Sequence, residues 1–231
     1  MELLLLLPSL LIFLYSLYRL VKDDYVFIRK GISLEQSFDI AFSTIWISLI
    51  LSRVVYLLNV TTNIKYIFLH FFSISIGGFS FIGGILGGLL SLYFISKSKR
   101  ISLGRLIDFF SISLLFATPV GLLMNTIFAK KNELLVLFLD VVIYFILLIF
   151  FIQFLYPKLM NRTLKEGTLA KIFLICFSCI STGQILLSSL SSLQKVLNVD
   201  FFLAIILLII SIALFIRRDN TSSSQRRSFL K

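Results

Sequence analysis

A chain of 231 residues with 58% hydrophobic and only 14% charged side chains, at a mean hydropathy of +1.02, has too little polar surface to fold as a water-soluble globule. The net charge of +11 does not point to nucleic acid, because the basic residues sit between apolar runs and not along one amphipathic face. The partner that these features require is a membrane.

At about 20 apolar residues per crossing, seven spans are expected, at roughly 2–21, 39–59, 77–96, 106–129, 133–156, 168–190 and 200–216. The first has Glu2 where a signal peptide wants Lys or Arg, and no small-x-small cleavage site follows, so a retained helix is expected. Alternate connections collect 17 of the 22 lysines and arginines, from Arg19 and Lys22 to the tail of Arg217, Arg218, Arg226, Arg227 and Lys231. The positive-inside rule then puts the N-terminus outside and the C-terminus in the cytoplasm. The expected architecture is an all-α integral membrane protein, with a seven-helix domain over 1–216 and a basic, disordered cytoplasmic tail over 217–231.

Two connections carry more. Residues 22–38 form a charged link in which Ser33, Glu35 and Gln36 mark the start of the second helix. Residues 60–76 are aromatic and apolar but broken by Lys65 and His70, which suits the headgroup region.

That segment leads into Gly77-Gly78-Phe79-Ser80-Phe81-Ile82-Gly83-Gly84-Ile85-Leu86-Gly87-Gly88, which holds six of the chain's 11 glycines. Gly84 and Gly88, like Gly83 and Gly87, are four apart and form a smooth face for helix packing. Gly77, Gly78 and Ser80 do not fit that pattern and predict an irregular lead-in to the helix, lining a cavity. No Lys-Ser or Lys-Thr ending makes this a phosphate-binding loop for nucleotides.

Polar groups inside spans need a reason: Arg53, Asn125, Asp140 and Gln184. Arg53 and Asp140 each lie about 9 to 10 Å from the outer ends of their helices at the α-helical rise. They are suited to neutralise one another, or Arg53 to grip an anionic lipid phosphate with two parallel hydrogen bonds. Cys176 and Cys179 have the C-x-x-C spacing of redox proteins but lie deep in a span with no second pair to exchange with. No histidine or carboxylate cluster suggests a metal, and no cofactor is expected.

Three passages together resemble the bacterial prolipoprotein diacylglyceryl transferases. They are Lys30-Gly31-Ile32-Ser33-Leu34-Glu35 through Ser52-Arg53-Val54-Val55-Tyr56, the Gly77–Gly84 motif, which is similar to the family's Gly-Gly-x-Ser-Phe-His-Gly-Gly, and Lys97 to Asp108. The resemblance implies a seven-helix protein of the bacterial inner membrane. It implies transfer of a diacylglyceryl group from phosphatidylglycerol to the lipobox cysteine of a prolipoprotein signal peptide. The implied lipid- and substrate-binding residues are Arg53, Gly77, Gly78, Ser80, Gly83, Gly84 and Asn125.

The same comparison marks departures. The histidine position holds Ile82, an arginine position holds Leu122, and no arginine stands between Arg162 and Arg217, where the family has one. No catalytic residue is therefore carried over. Two functions follow from the resemblance: a transferase using other groups, with His70, Lys130 and Lys131 as candidates, or a non-catalytic protein that binds an anionic lipid or a signal peptide.

Overall fold

The computed structural model describes residues 6–22, 24, 33–61, 64–71, 78–99, 101–127, 134–161, 163–189 and 198–228. Among the described residues every regular element is helical: α1 (Leu6–Lys22), α2 (Leu34–Val60), α3 (Ile64–His70), α4 (Phe81–Lys99) and α5 (Leu103–Thr126) come first. They are followed by α6 (Leu134–Phe150), a π-helical turn (Phe151–Leu155), α7 (Tyr156–Met160), α8 (Thr168–Ser189) and α9 (Val199–Ser228). Helices satisfy every interior N–H and C=O internally, the condition for crossing a medium without water.

Six stretches among the described residues are long and apolar enough to span a membrane: α2, α4, α5, the continuous run Leu134–Met160, and the apolar parts of α8 and α9. The helix in the first expected span is described over 17 residues, at the short end of what a bilayer needs. α9 runs on to Ser228, past residue 216, where the sequence expects the tail to begin; its apolar window ends at Ile216. Large apolar side chains such as Leu135, Phe138, Ile146 and Phe154 on the Leu134–Met160 run are exposed, as an acyl environment permits.

Local chemistry accounts for the helix boundaries. Ser33 Oγ accepts a hydrogen bond from Gln36 N at 3.1 Å, the N-cap expected before α2. Arg19 and Lys22 close α1, and Lys97 and Lys99 close α4, where cations complement the helix dipole. The π turn sits just before Pro157, which has no N–H to return; Tyr156 N reaches Phe151 O, and the extra residue removes the clash a proline would cause in a regular helix.

The chain divides into two compact units, Met1–Ile47 with Gly88–Leu169, and Ser48–Gly87 with Ala170–Lys231. In the first unit α5 packs against α1 and α6. Phe13 and Phe110 meet edge to face at 5.7 Å, and a Cβ on Gly121 would rest 3.6 Å from Ser9. Arg105 holds Asp24 through both carboxylate oxygens, at 2.9 and 3.0 Å, with both side chains buried, and its guanidinium lies over the Phe109 ring. Asp108 accepts from Gly167 N, at a turn where Gly167 has φ 82° and Gly104 leaves room for the backbone of Glu166. In the second unit, Phe81 meets Phe177 edge to face at 5.2 Å, and Lys171 donates to Leu214 O at 2.7 Å, binding α8 to α4 and to α9.

Candidate functional site

The described part of the Gly77–Gly84 motif lies in the second unit, and Gly78, Ser80, Gly83 and Gly84 have distinct physical tasks. Helix α4 begins at Phe81, so Gly78, Phe79 and Ser80 form the irregular lead-in that the sequence predicts. Ser80 is the N-cap: its Oγ accepts from Gly83 N at 3.1 Å and its carbonyl from Gly84 N at 3.0 Å. Ser52 on α2 fixes that cap from both sides, donating its hydroxyl to Ser80 O at 2.6 Å and accepting from Ser80 N at 3.1 Å.

Gly83 faces α2 so closely that a Cβ would come within 2.8 Å of the Val55 Cβ, whereas one on Gly84 would make ordinary contact with Ser52 at 3.8 Å. Helix packing therefore forbids a side chain at Gly83 and favours a small one at Gly84. Gly78 is needed for another reason: a Cβ there would lie 1.8 Å from Arg53 Nη1.

Arg53 is buried. Its Nη1 donates to Gly78 O and its Nη2 to His70 O, both at 2.8 Å, and its guanidinium lies 5.5 Å from the Tyr56 ring centre and 5.7 Å from that of Phe79. The cation thus joins the end of α3 to the start of the glycine lead-in. Of the two roles the sequence leaves open for Arg53, phosphate grip and pairing with Asp140, neither accounts for these two carbonyl bonds. Asp140 is buried on α6 of the other unit.

The residue that sequence reasoning missed is Asp200, in the first turn of α9. Its Oδ1 accepts from Ser80 Oγ at 2.5 Å and its Oδ2 from Asn59 Nδ2 at 2.8 Å, while its own N–H donates to Asn59 Oδ1 at 3.3 Å. The available signal was an acidic residue opening an apolar helix, which is also an ordinary dipole-complementing choice. The Ser80 hydroxyl is engaged as donor and acceptor together, so it is a fastener and not a poised nucleophile.

Beside this cluster is a cavity of about 220 Å³, lined by Phe81, Ile82, Ser181, Gln184, Ile185, Asn198 and Asp200. The lining combines three apolar side chains with a carboxylate, two carboxamides and a hydroxyl. Gln184, marked in the sequence as a polar group needing a reason, finds it here. Ile82 is buried in this wall. Among the described residues no cationic side chain lines the cavity. Among the described residues no three His, Cys, Asp or Glu side chains gather where one metal ion would reach them.

The structure therefore brings Arg53, Gly78, Ser80, Gly83 and Gly84 together in one unit. Asn125 belongs to the other unit, exposed in the last turn of α5. Gly77, Lys130 and Lys131 lie outside the described residues, and His70 contributes its carbonyl at the exposed end of α3.

Comparison with known proteins agrees with the motif. The sequence profile of the family described as prolipoprotein diacylglyceryl transferase matches residues 3–130, more than half of the chain. No curated protein and no solved structure matches it. The matched stretch supplies Arg53, the glycine lead-in and Ile82, whereas Ser181, Gln184, Asn198 and Asp200 come from beyond it. On this match, and on the capped glycine motif at the head of α4, the chain belongs to the prolipoprotein diacylglyceryl transferase family.

Proposed function

We propose that the protein binds a phospholipid, phosphatidylglycerol or a related anionic lipid, at the cavity where α4 begins, and that it has kept the family's lipid-holding frame without the groups that drive transfer. In this reading the chain crosses the bacterial inner membrane seven times with its N-terminus outside. The cavity then faces the outer leaflet, at the opposite end of α4 from Lys97 and Lys99. A prolipoprotein signal peptide is the second partner of the same site.

The supporting observation is Ile82 in the cavity wall. Transfer requires a base to take the proton from the cysteine thiol. The sulfur then attacks the glycerol carbon as its bond to the phosphate oxygen breaks, and a cation stabilises the departing glycerol phosphate. Ile82 offers neither base nor cation, Leu122 stands at the next family arginine, and no arginine occurs between Arg162 and Arg217. Loss of one charge-stabilising donor costs on the order of 3 kcal/mol of barrier, about a hundredfold in rate, and here several are missing together.

The test is incubation of the purified full chain with phosphatidylglycerol and a lipobox peptide, followed by mass spectrometry of lipid and peptide. Co-purified phospholipid with no diacylglyceryl thioether above background is the expected result. The family match favours a second reading, an active transferase, and steady accumulation of the thioether would establish it in place of the first.

A further inference from the structure

We propose that Asp200, with the carboxamides of Gln184 and Asn198, forms a subsite for the hydroxyls of a polyol headgroup, and that Asp200 determines which headgroup the protein accepts. The inference rests on the phospholipid reading above and adds to it the part of the lipid that is recognised and the residue that selects it.

The cavity has a fixed carboxylate on one side. Asn59 holds Asp200 at two points, side chain to carboxylate and side chain to backbone N–H, and Ser80 holds the second oxygen. All the groups in these three bonds are neutral apart from the carboxylate, so among the described residues Asp200 is positioned by groups that carry no charge. An ionised carboxylate has about four lone-pair positions, and these contacts use two of them.

The ligand class follows from what the lining donates and accepts. A carboxylate only accepts; a carboxamide donates through nitrogen and accepts through oxygen. A hydroxyl does both, so adjacent hydroxyls satisfy Asp200 with their protons and take the carboxamide N–H groups on their oxygens. An ammonium donates only and leaves the carboxamide donors unmet. A bare phosphate only accepts and would lie beside the Asp200 carboxylate, and unmet polar groups and like charges side by side are both unfavourable. Phe81, Ile82 and Ile185 supply the apolar wall against which a carbon backbone rests.

The subsite draws on both parts of the chain. Ser80 and Ile82 come from the stretch that matches the family, and Asp200, Gln184 and Asn198 from beyond it. Headgroup choice is thus encoded in α8 and at the start of α9 and presented to the head of α4.

The experiment uses the full chain in detergent with equimolar phosphatidylglycerol, phosphatidylethanolamine and phosphatidic acid of identical acyl chains, and reads retained lipid by native mass spectrometry. Phosphatidylglycerol is expected to be retained about tenfold over each of the others, the discrimination of one charge-assisted hydrogen bond. In Asp200→Asn that preference falls about tenfold and phosphatidic acid gains, because the charge that repels it is gone. Gln184→Leu lowers phosphatidylglycerol retention without raising phosphatidic acid, which separates recognition from repulsion should Asp200→Asn fold poorly. A glucosyl diacylglycerol that displaces phosphatidylglycerol would keep the site and assign it to a sugar headgroup. Retention of all phospholipids without preference, or preference unchanged in both variants, overturns this proposal alone. A wild-type chain that retains no phospholipid overturns the underlying reading with it.

Discussion

Two carboxylates among the described residues, Asp24 and Asp200, use the same residue type for opposite ends. In the first unit Asp24 meets Arg105 on both oxygens, closed off from solvent under Phe109. In the second unit Asp200 is half-buried, held by the neutral groups of Asn59 and Ser80, and opens on a cavity. A carboxylate whose partner is a guanidinium is spent on holding the fold. One held by an amide and a hydroxyl is positioned as well, with acceptor positions left over for a ligand.

The contrast predicts unequal costs. Asp24→Ala leaves a buried guanidinium without its counter-charge and is expected to destabilise the protein by about 3 to 5 kcal/mol. Asp200→Asn keeps the shape but turns one of the two accepting oxygens into a donor, so one hydrogen bond is lost, and it should cost about 1.5 to 3 kcal/mol. Equilibrium unfolding of both variants in mixed micelles compares them directly, and equal losses would erase the distinction drawn here.

A smaller effect sharpens the account of the glycine motif. Gly78→Ala places a methyl group on Arg53 Nη1 and should cost about 1 to 2 kcal/mol through the displaced hydrogen bond. Most of that cost should vanish in an Arg53→Ala background, since the two residues share one contact and their effects do not add. A full, additive loss in the double variant would mean that Gly78 answers to some other neighbour.

The smallest effect expected is on chemistry. Ile82→His puts a histidine where the resemblance expects one in the cavity wall, yet Leu122 and the arginine-free stretch after Arg162 remain. The thioether assay should stay at background, and a strong gain from this one change would show that the imidazole was the only missing group.

Much of the frame was legible from residue order alone. The hydropathy pattern gives the long helices, Ser33 marks the head of α2, and the glycines predict both a packed face and an irregular lead-in, because each of these depends on neighbours a few residues away. Arg53 was visible as a residue in need of a partner, but the sequence offered Asp140 or a lipid phosphate. Two of its bonds go to the carbonyls of His70 and Gly78, groups every residue carries and no sequence pattern distinguishes.

What the sequence by itself determined is therefore the kind of molecule: a helical membrane protein of the diacylglyceryl transferase family with Ile82 and Leu122 where the resemblance expects histidine and arginine. Only the tertiary structure decided what the glycine lead-in faces. Ser80 and Asp200 are 120 positions apart, and Asn59 and Asp200 are 141. Helical periodicity relates residues within a turn or two of each other, whereas contacts between helices depend on how whole segments pack, so the carboxylate beside the signature motif appears only once the chain is folded.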